Sequence, residues 1–483
     1  MLHTQEVEAP ASAHRTIVSA CALMFLISLD VTIVNVALPV IQRGLDVPTA
    51  SLGWTAVAYT IPFATLMLSG GALSDRFGPA RVYLGGVVVF GVGSLIDAAA
   101  PNFALLLVGR VVQGVGAALC MPSAMAVLRS SVPARQLGQA IALWTFSASV
   151  AISAGPIVSG ALVEFLSWRS VFMINIPVVA LAAWLILPEV QRGERRPPVP
   201  KRAMDVLGQS LYVVSSGLLI GGLIFLRDGV DAARWHLPVT LLALSAGGLV
   251  AFFLFERRAA DPVLPTSLLR HRVFQSAAIA GVAISVVNFG LVYCLGLYYG
   301  GAHRFTPLQA GALFLPMMVA CGVSSAIVER TRRALGDRAT VTAGLAVQLA
   351  GTLLICVRPD HVGWVSANAA FLGFGVGLCV PPITAGLLGA VDAKISGVAG
   401  GALSSVRQFG SALGVAVLGL MVQGTSGSIR VDLRLIGAVC TVVLLVALVA
   451  YLSNSKLTGR AGEAERATVG SGRTGGRPRA GAG

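Results

Sequence analysis

Apolar residues fill this chain in long runs separated by short polar segments. A helix needs roughly 20 mostly apolar residues to cross a hydrocarbon core about 30 Å thick. Runs of that kind fall at about 16–40, 51–73, 82–100, 102–126, 138–165, 170–188, 206–226, 236–255, 274–300, 307–328, 339–357, 363–388, 401–423 and 434–452. They predict about fourteen transmembrane helices, and an even number puts both termini on one side of the membrane. The first run is too long for the core of a cleavable leader and carries Asp30, so it is expected to remain as a helix.

Basic residues decide the orientation. With the N-terminus inside, 25 of the 35 Lys and Arg fall in inner segments and 8 in outer loops, while Arg110 and Arg407 lie within spans. That bias predicts a multi-pass protein of the cell inner (plasma) membrane with both termini cytoplasmic. The expected layout is a cytoplasmic N-terminus at 1–15, a six-helix half at 16–190 and a basic loop at 191–205. Two extra linker helices at 206–255, a loop at 256–273 and a second six-helix half at 274–452 follow. The tail at 453–483 is rich in Gly, Arg and Ala and is expected to be disordered.

The two halves share a pattern. Residues 107–160 laid over 366–419 without a gap match Gly114, Gly116, Leu119, Cys120 and Pro122 to Gly373, Gly375, Leu378, Cys379 and Pro381. Gly138, Gly155 and Gly160 match Gly397, Gly414 and Gly419 in the same register. Repeated matches at one offset indicate duplication. An all-α arrangement of six, two and six helices, with parallel pseudo-repeat halves, places a binding site at mid-membrane between them.

Composition sharpens this. Hydrophobic residues make up 55% and charged residues 12%, against about 25% charged in a soluble domain. Mean hydropathy is +0.82. The net charge of +14 is read as a topology device facing anionic lipid, and no nucleic-acid partner is expected. The seven cysteines lie in apolar stretches without CxxC spacing, which points to packing rather than metal or disulfides. The sequence holds no phosphate-binding loop, zinc motif or serine-nucleophile motif, and its six histidines lie at termini or in loops. The chain is therefore not expected to be an enzyme, to hold a cofactor or metal, or to use ATP; an ion gradient is left as its energy source.

Four stretches carry chemistry. The first span holds Leu29-Asp30-Val-Thr32-Ile-Val-Asn35-Val-Ala37-Leu38-Pro39, with a carboxylate deep in apolar surroundings. Such a group costs about 2.5–3.5 kcal/mol to insert and is a functional candidate or the partner of a nearby Arg. The fourth holds Arg110-Val-Val-Gln113-Gly114, whose duplicate has Ala369 and Leu372 in place of Arg110 and Gln113. A buried Arg calls for a carboxylate. Counted along their helices, Asp30 lies roughly 21 Å from the inner face and Arg110 roughly 10 Å below the outer one, at similar depth. Between the second and third spans stands Gly71-Ala-Leu-Ser-Asp75-Arg76-Phe-Gly78-Pro-Ala-Arg81, which reads as a charged latch or as an ordinary positive-inside loop. The fifth span carries Gly155-Pro156-Ile-Val-Ser159-Gly160.

These stretches resemble motifs of the major facilitator superfamily, in particular its fourteen-helix drug:proton antiporter branch and the antibiotic-resistance exporters of actinobacteria. The resemblance covers about 16–452. It implies a major facilitator fold, with Asp30, Arg110 and Gln113 in proton coupling. It also implies a cytoplasmic gate at Gly71, Asp75, Arg76, Gly78 and Arg81, and an antiporter motif at Gly155, Pro156 and Gly160. The implied activity is proton-coupled multidrug or antibiotic efflux by alternating access. The partners it implies are a small amphiphilic substrate, protons and the lipid bilayer, and the protein is expected to be monomeric. Two other readings stay open: export of one endogenous metabolite such as a self-made antibiotic, and, more remotely, a non-transporting receptor or membrane-embedded enzyme. Arg407, beside Gln408, is either functional or snorkels toward the cytoplasm.

Overall fold

The computed structural model describes residues 11–192, 206–227, 236–258, 266–391, 396–425 and 428–471. Most of the basic loop at 191–205 and the tail beyond 471 lie outside the described residues. The chain is nearly all helix. The first half comprises α1 (Ala11–Leu45), α2 (Gly53–Phe77), α3 (Pro79–Ala99), α4 (Phe103–Ser131), α5 (Ala134–Phe165), the short α6 (Ser170–Met173) and α7 (Asn175–Arg192). Next come α8 (Val206–Arg227) and α9 (His236–Glu256). The second half comprises α10 (Thr266–Arg270), α11 (Arg272–Leu297), α12 (Pro307–Ala312), α13 (Leu315–Val357), α14 (Val362–Ala390), α15 (Ser396–Gly419) and α16 (Leu433–Ser471).

Among the described residues ten helices are long and apolar enough to cross a membrane, or up to twelve when two bent pairs are each counted as one span. The bend in α5 has a local cause. Its arms Arg135–Ile152 and Ala154–Phe165 meet at 47°, and Pro156 lacks the N–H that would bond the Ile152 carbonyl. Gly336, at φ 81° and ψ 164°, breaks the 43-residue α13 into two arms. Many large apolar side chains, among them Leu95, Trp184, Val250 and Val446, face outward, as lipid-bathed helices require.

Two features depart from expectation. The last loop forms a hairpin, β1 (Val422–Thr425) antiparallel to β2 (Ser428–Val431), with Val422 opposite Val431. The segment after Ser455, expected to be disordered, continues α16 as helix to Ser471. Its Ala, Glu and Arg residues are strong helix formers, and the apolar turns before it supply the nucleus that a free tail lacks.

The halves repeat one packing scheme. In the first, α1 packs on α5 and α7, and α4 on α2 and α3; in the second, α11 packs on α15 and α16, and α14 on both arms of α13. The match reaches single atoms. Cys120 donates from Sγ to the Tyr83 carbonyl (3.7 Å), and Cys379 donates to the Val341 carbonyl (3.4 Å). Gly114 lies against the carbonyl of Tyr59, and Gly373 against that of Met317. Across the halves, α2 packs on α15 and α5 on α12, the two pairs that a pseudo-twofold axis exchanges. Outside this bundle, α8 packs on α2 and α15, and α9 packs on α8.

Candidate functional site

Asp30 and Arg110 meet in the interior of the first half, where both are essentially inaccessible (0% and 1% exposed). Arg110 forms an ion pair with Asp30 through NH1, which also donates to Gln113 Oε1 (2.7 Å). Its Nε donates to the Thr55 carbonyl (2.9 Å). The guanidinium lies over the Tyr59 ring at 4.5 Å, an arrangement that stabilises a desolvated cation. Asp30 Oδ1 accepts from Gln113 Nε2 (3.3 Å) and Asn175 Nδ2 (3.5 Å). Both amides also donate to Ser94 Oγ, at 2.8 and 3.1 Å. Five helices thus hold one charge pair: α1 the acid, α4 the base, and α2, α3 and α7 the surrounding dipoles. Breaking a buried pair of this kind costs about 3–5 kcal/mol, because the remaining charge is stranded.

Among the described residues the duplicate half has no such pair. The contacts of Gly86 and Gly116 set α3 against the second arm of α13, matching Ser94 to Thr352. Those of Gly155 and Gly414 set α1 against α11, matching Asp30 to Ile284. Arg110 and Gln113 already face Ala369 and Leu372. The repeat therefore retains the packing and omits the charges.

The two ends of the bundle differ. At the far end, where α1 terminates, the halves touch backbone to backbone. A Cβ added at Gly160 would stand 2.6 Å from the Pro307 carbonyl oxygen, and one at Gly296 2.6 Å from that of Asn35. One at Gly311 would overlap the Pro156 carbonyl. Gly155 seats Thr32 where α5 crosses α1 within the first half. The Gly155-Pro156-Gly160 motif is therefore the surface on which α5 meets both α1 and α12. At the near end, a cavity of about 670 Å³ opens between the first turns of α1 and α5, lined by residues such as Ile17, Cys21, Phe25, Gln139 and Phe146. Between the two ends, beside Arg110, a void of about 10 Å³ lies among Asn35, Tyr59, Phe289 and Ser411. It has room for about one water.

The α2–α3 turn lies at the near end. Gly78, at φ 97°, joins the helices in a single residue, a conformation that requires glycine. Asp75, Arg76 and Arg81 are exposed, and among the described residues they form no ion pair. Arg76 instead lies over its neighbour Phe77, at 5.3 Å. Gly71 packs near Pro122 on α4. This conformer leaves the latch charges apart.

A family model described as Major Facilitator Superfamily matches residues 20–415. The chain belongs to the major facilitator superfamily. It is 32% identical over 422 residues to the "Methylenomycin A resistance protein" of Bacillus subtilis, covering 86% of this chain and 89% of that one. It is 33% identical over 411 residues to the "Multidrug resistance protein Stp" of Mycobacterium tuberculosis, covering 84% and 75%. Among solved structures, a transporter of the POT family, PepTSo, superposes with a TM-score of 0.66 at 14% identity, covering 92% of this chain and 99% of that one. This superfamily member is thus a multi-pass membrane transporter.

Part of the site carries no signal in the sequence: Asn175, Ser94, Tyr59 and Thr55 do not stand out, because neutral polar residues are ordinary in apolar runs. Asp97 is a different case: it is a carboxylate inside the third run, and the rule that flags Asp30 flags it equally. Arg407 lays its stem against Gly281, and its Nε is buried without a hydrogen-bond partner.

Proposed function

We propose that this transporter exports small amphiphilic drugs or antibiotics in exchange for protons, by alternating access. The buried Asp30–Arg110 pair carries this reading. It is the single described ion pair buried at both partners, Thr55, Gln113 and Asn175 hydrogen-bond it, and among the described residues only one half of a duplicated fold contains it. With the guanidinium in place Asp30 is ionised; once the guanidinium withdraws, a carboxylate in so dry a site persists only in neutral form. A proton thus binds when the pair opens, and Gln113 steadies both states. The sealed far end and open near end correspond to one of two alternating conformers. The separated charges of Asp75, Arg76 and Arg81 correspond to a gate that closes, with Gly71 and Gly78 as its turn, when the near end shuts. Export is supported by the relatives named for antibiotic and multidrug resistance, and by Pro156 seated on the far-end seam.

In this reading the near end is cytoplasmic, the membrane is the plasma membrane, both termini lie inside and the protein acts as a monomer. The two arms of α13 are separate spans and α15 is a further one, which makes fourteen. The test is expression in an efflux-deficient host challenged with methylenomycin A, tetracenomycin C and puromycin. The expected result is a raised inhibitory concentration for at least one, lost when a protonophore collapses the proton gradient. Resistance that survives the protonophore would refute proton coupling. Resistance to a single compound would favour a dedicated exporter, a reading supported by relatives named for one antibiotic each, such as the "Tetracenomycin C resistance and export protein" of Streptomyces glaucescens.

A further inference from the structure

Asp97 lies on α3, one turn beyond Ser94 on the same face, and its side chain is 0% exposed. Neither carboxyl oxygen has a hydrogen-bond partner. Its place is made by Gly109, since a Cβ there would overlap the carboxyl group. It therefore faces α4 one residue before Arg110, and it interacts electrostatically with both Arg110 and Asp30. The polar groups on the neighbouring elements are engaged elsewhere. Tyr59 of α2 spends its hydroxyl on the Ile27 carbonyl, α7 presents the neutral Asn175, and Arg169 bonds the Ala100 carbonyl beyond the end of α3.

We propose that Asp97 is a second proton-binding carboxylate, and that Asp30 and Asp97 share one proton and take turns as the partner of Arg110. This rests on the transport reading above and extends it. Two carboxylates and one guanidinium in a dry site are neutral only with a single proton on board. The hydrogen bonds say where it is in this conformer: Asp30 has the guanidinium and two amides, Asp97 has nothing, so Asp97 carries the proton. When Asp30 takes a proton from the aqueous side, Asp97 gives one up and receives the guanidinium that Asp30 releases. One proton enters and one leaves, and Arg110 is never stranded.

Infrared spectroscopy of the full-length protein in liposomes, with ¹³C-labelled aspartate, counts buried protonated Asp directly. Wild type is expected to show one such carbonyl band at neutral pH, and Asp97→Asn to lack it. Asp30→Asn is also expected to lack it, because Asp97 must then ionise to balance Arg110; Arg110→Gln should show two. A band that persists in Asp30→Asn would overturn the shared proton, as would its absence from wild type or its survival in Asp97→Asn. If Arg110→Gln does not fold, the Asp30→Asn spectrum decides alone. In the same liposomes, proton-driven flux of puromycin, or of whichever drug the resistance test identifies, should fall roughly 150-fold or more in Asp97→Asn, the factor matching a stranded guanidinium. Unchanged flux there would also overturn the proposal. A wild type without proton-driven flux would sink the transport reading instead, and leave the spectra to judge the shared proton.

Discussion

A valine at Gly311 would act as a wedge in one conformer only. Its Cβ would overlap the Pro156 carbonyl, and its neighbour contact, Gly160 on Pro307, has equally little room. Both contacts are to backbone, so no side chain can rotate away. They join α5 of one half to α12 of the other, and they vanish when the halves part at the far end. Overpacking of this sort costs about 1–3 kcal/mol. Applied to one of two conformers, that shifts their ratio by about 5- to 150-fold toward the far-end-open state. Cys21 lines the near-end cavity and is half-buried, so it reports the change. With the other six cysteines replaced, labelling of Cys21 by a membrane-impermeant maleimide from the near side should slow by up to that factor in Gly311→Val. Gly114→Val is the control. It drives a Cβ into the Tyr59 carbonyl within a single half, so it should lower the melting temperature rather than change the ratio. Unchanged Cys21 labelling in a folded Gly311→Val protein would refute the claim that this seam is a gate.

The other predictions concern charge and topology. Asp30→Asn and Arg110→Ala should each remove proton-driven transport, and Arg110→Ala should cost about 3–5 kcal/mol of stability; the double variant should lose less than the sum of the two in thermal unfolding. Additive losses would show that the two are uncoupled. Asp75→Asn should leave this conformer intact and disfavour the one in which the latch closes, so Cys21 labelling should rise; a fall would exclude the gate. Gly78→Ala forces φ 97° on a residue with a Cβ and should destabilise by about 1 kcal/mol or more, read from the melting temperature. Reporters fused after Arg196 and Lys456 should behave as cytoplasmic and those after Arg43 and Arg304 as exported; a cytoplasmic signal after Arg304 would overturn the fourteen-span layout.

What the sequence determined by itself is what the bilayer enforces locally. Lipid requires every backbone polar group to be bonded within its own segment, so each apolar run becomes a helix whatever its neighbours do. The runs at 82–100 and 363–388 accordingly appear as Pro79–Ala99 and Val362–Ala390, displaced only by a few polar residues at their ends. The duplication was legible for the same reason: Gly114 and Gly373 repeat because each seats a backbone carbonyl of a neighbouring helix. The need of Arg110 for a carboxylate also followed from burial alone, and equal depth pointed to Asp30. Tertiary structure decided what depends on the rotation of one helix against another. Depth fixes where a side chain lies along the membrane normal, but only packing turns Asn175 toward both Asp30 and Ser94, and sets Asp97 against Gly109 without a hydrogen-bond partner. Only packing shows that Gly155 meets α1 while Gly160 meets α12, so that one motif serves both the interior of a half and the seam between halves. The α2–α3 turn shows the limit most clearly: Asp75 and Arg76 are adjacent in sequence, yet only the packing shows that Arg76 lies over Phe77 and that neither forms an ion pair among the described residues.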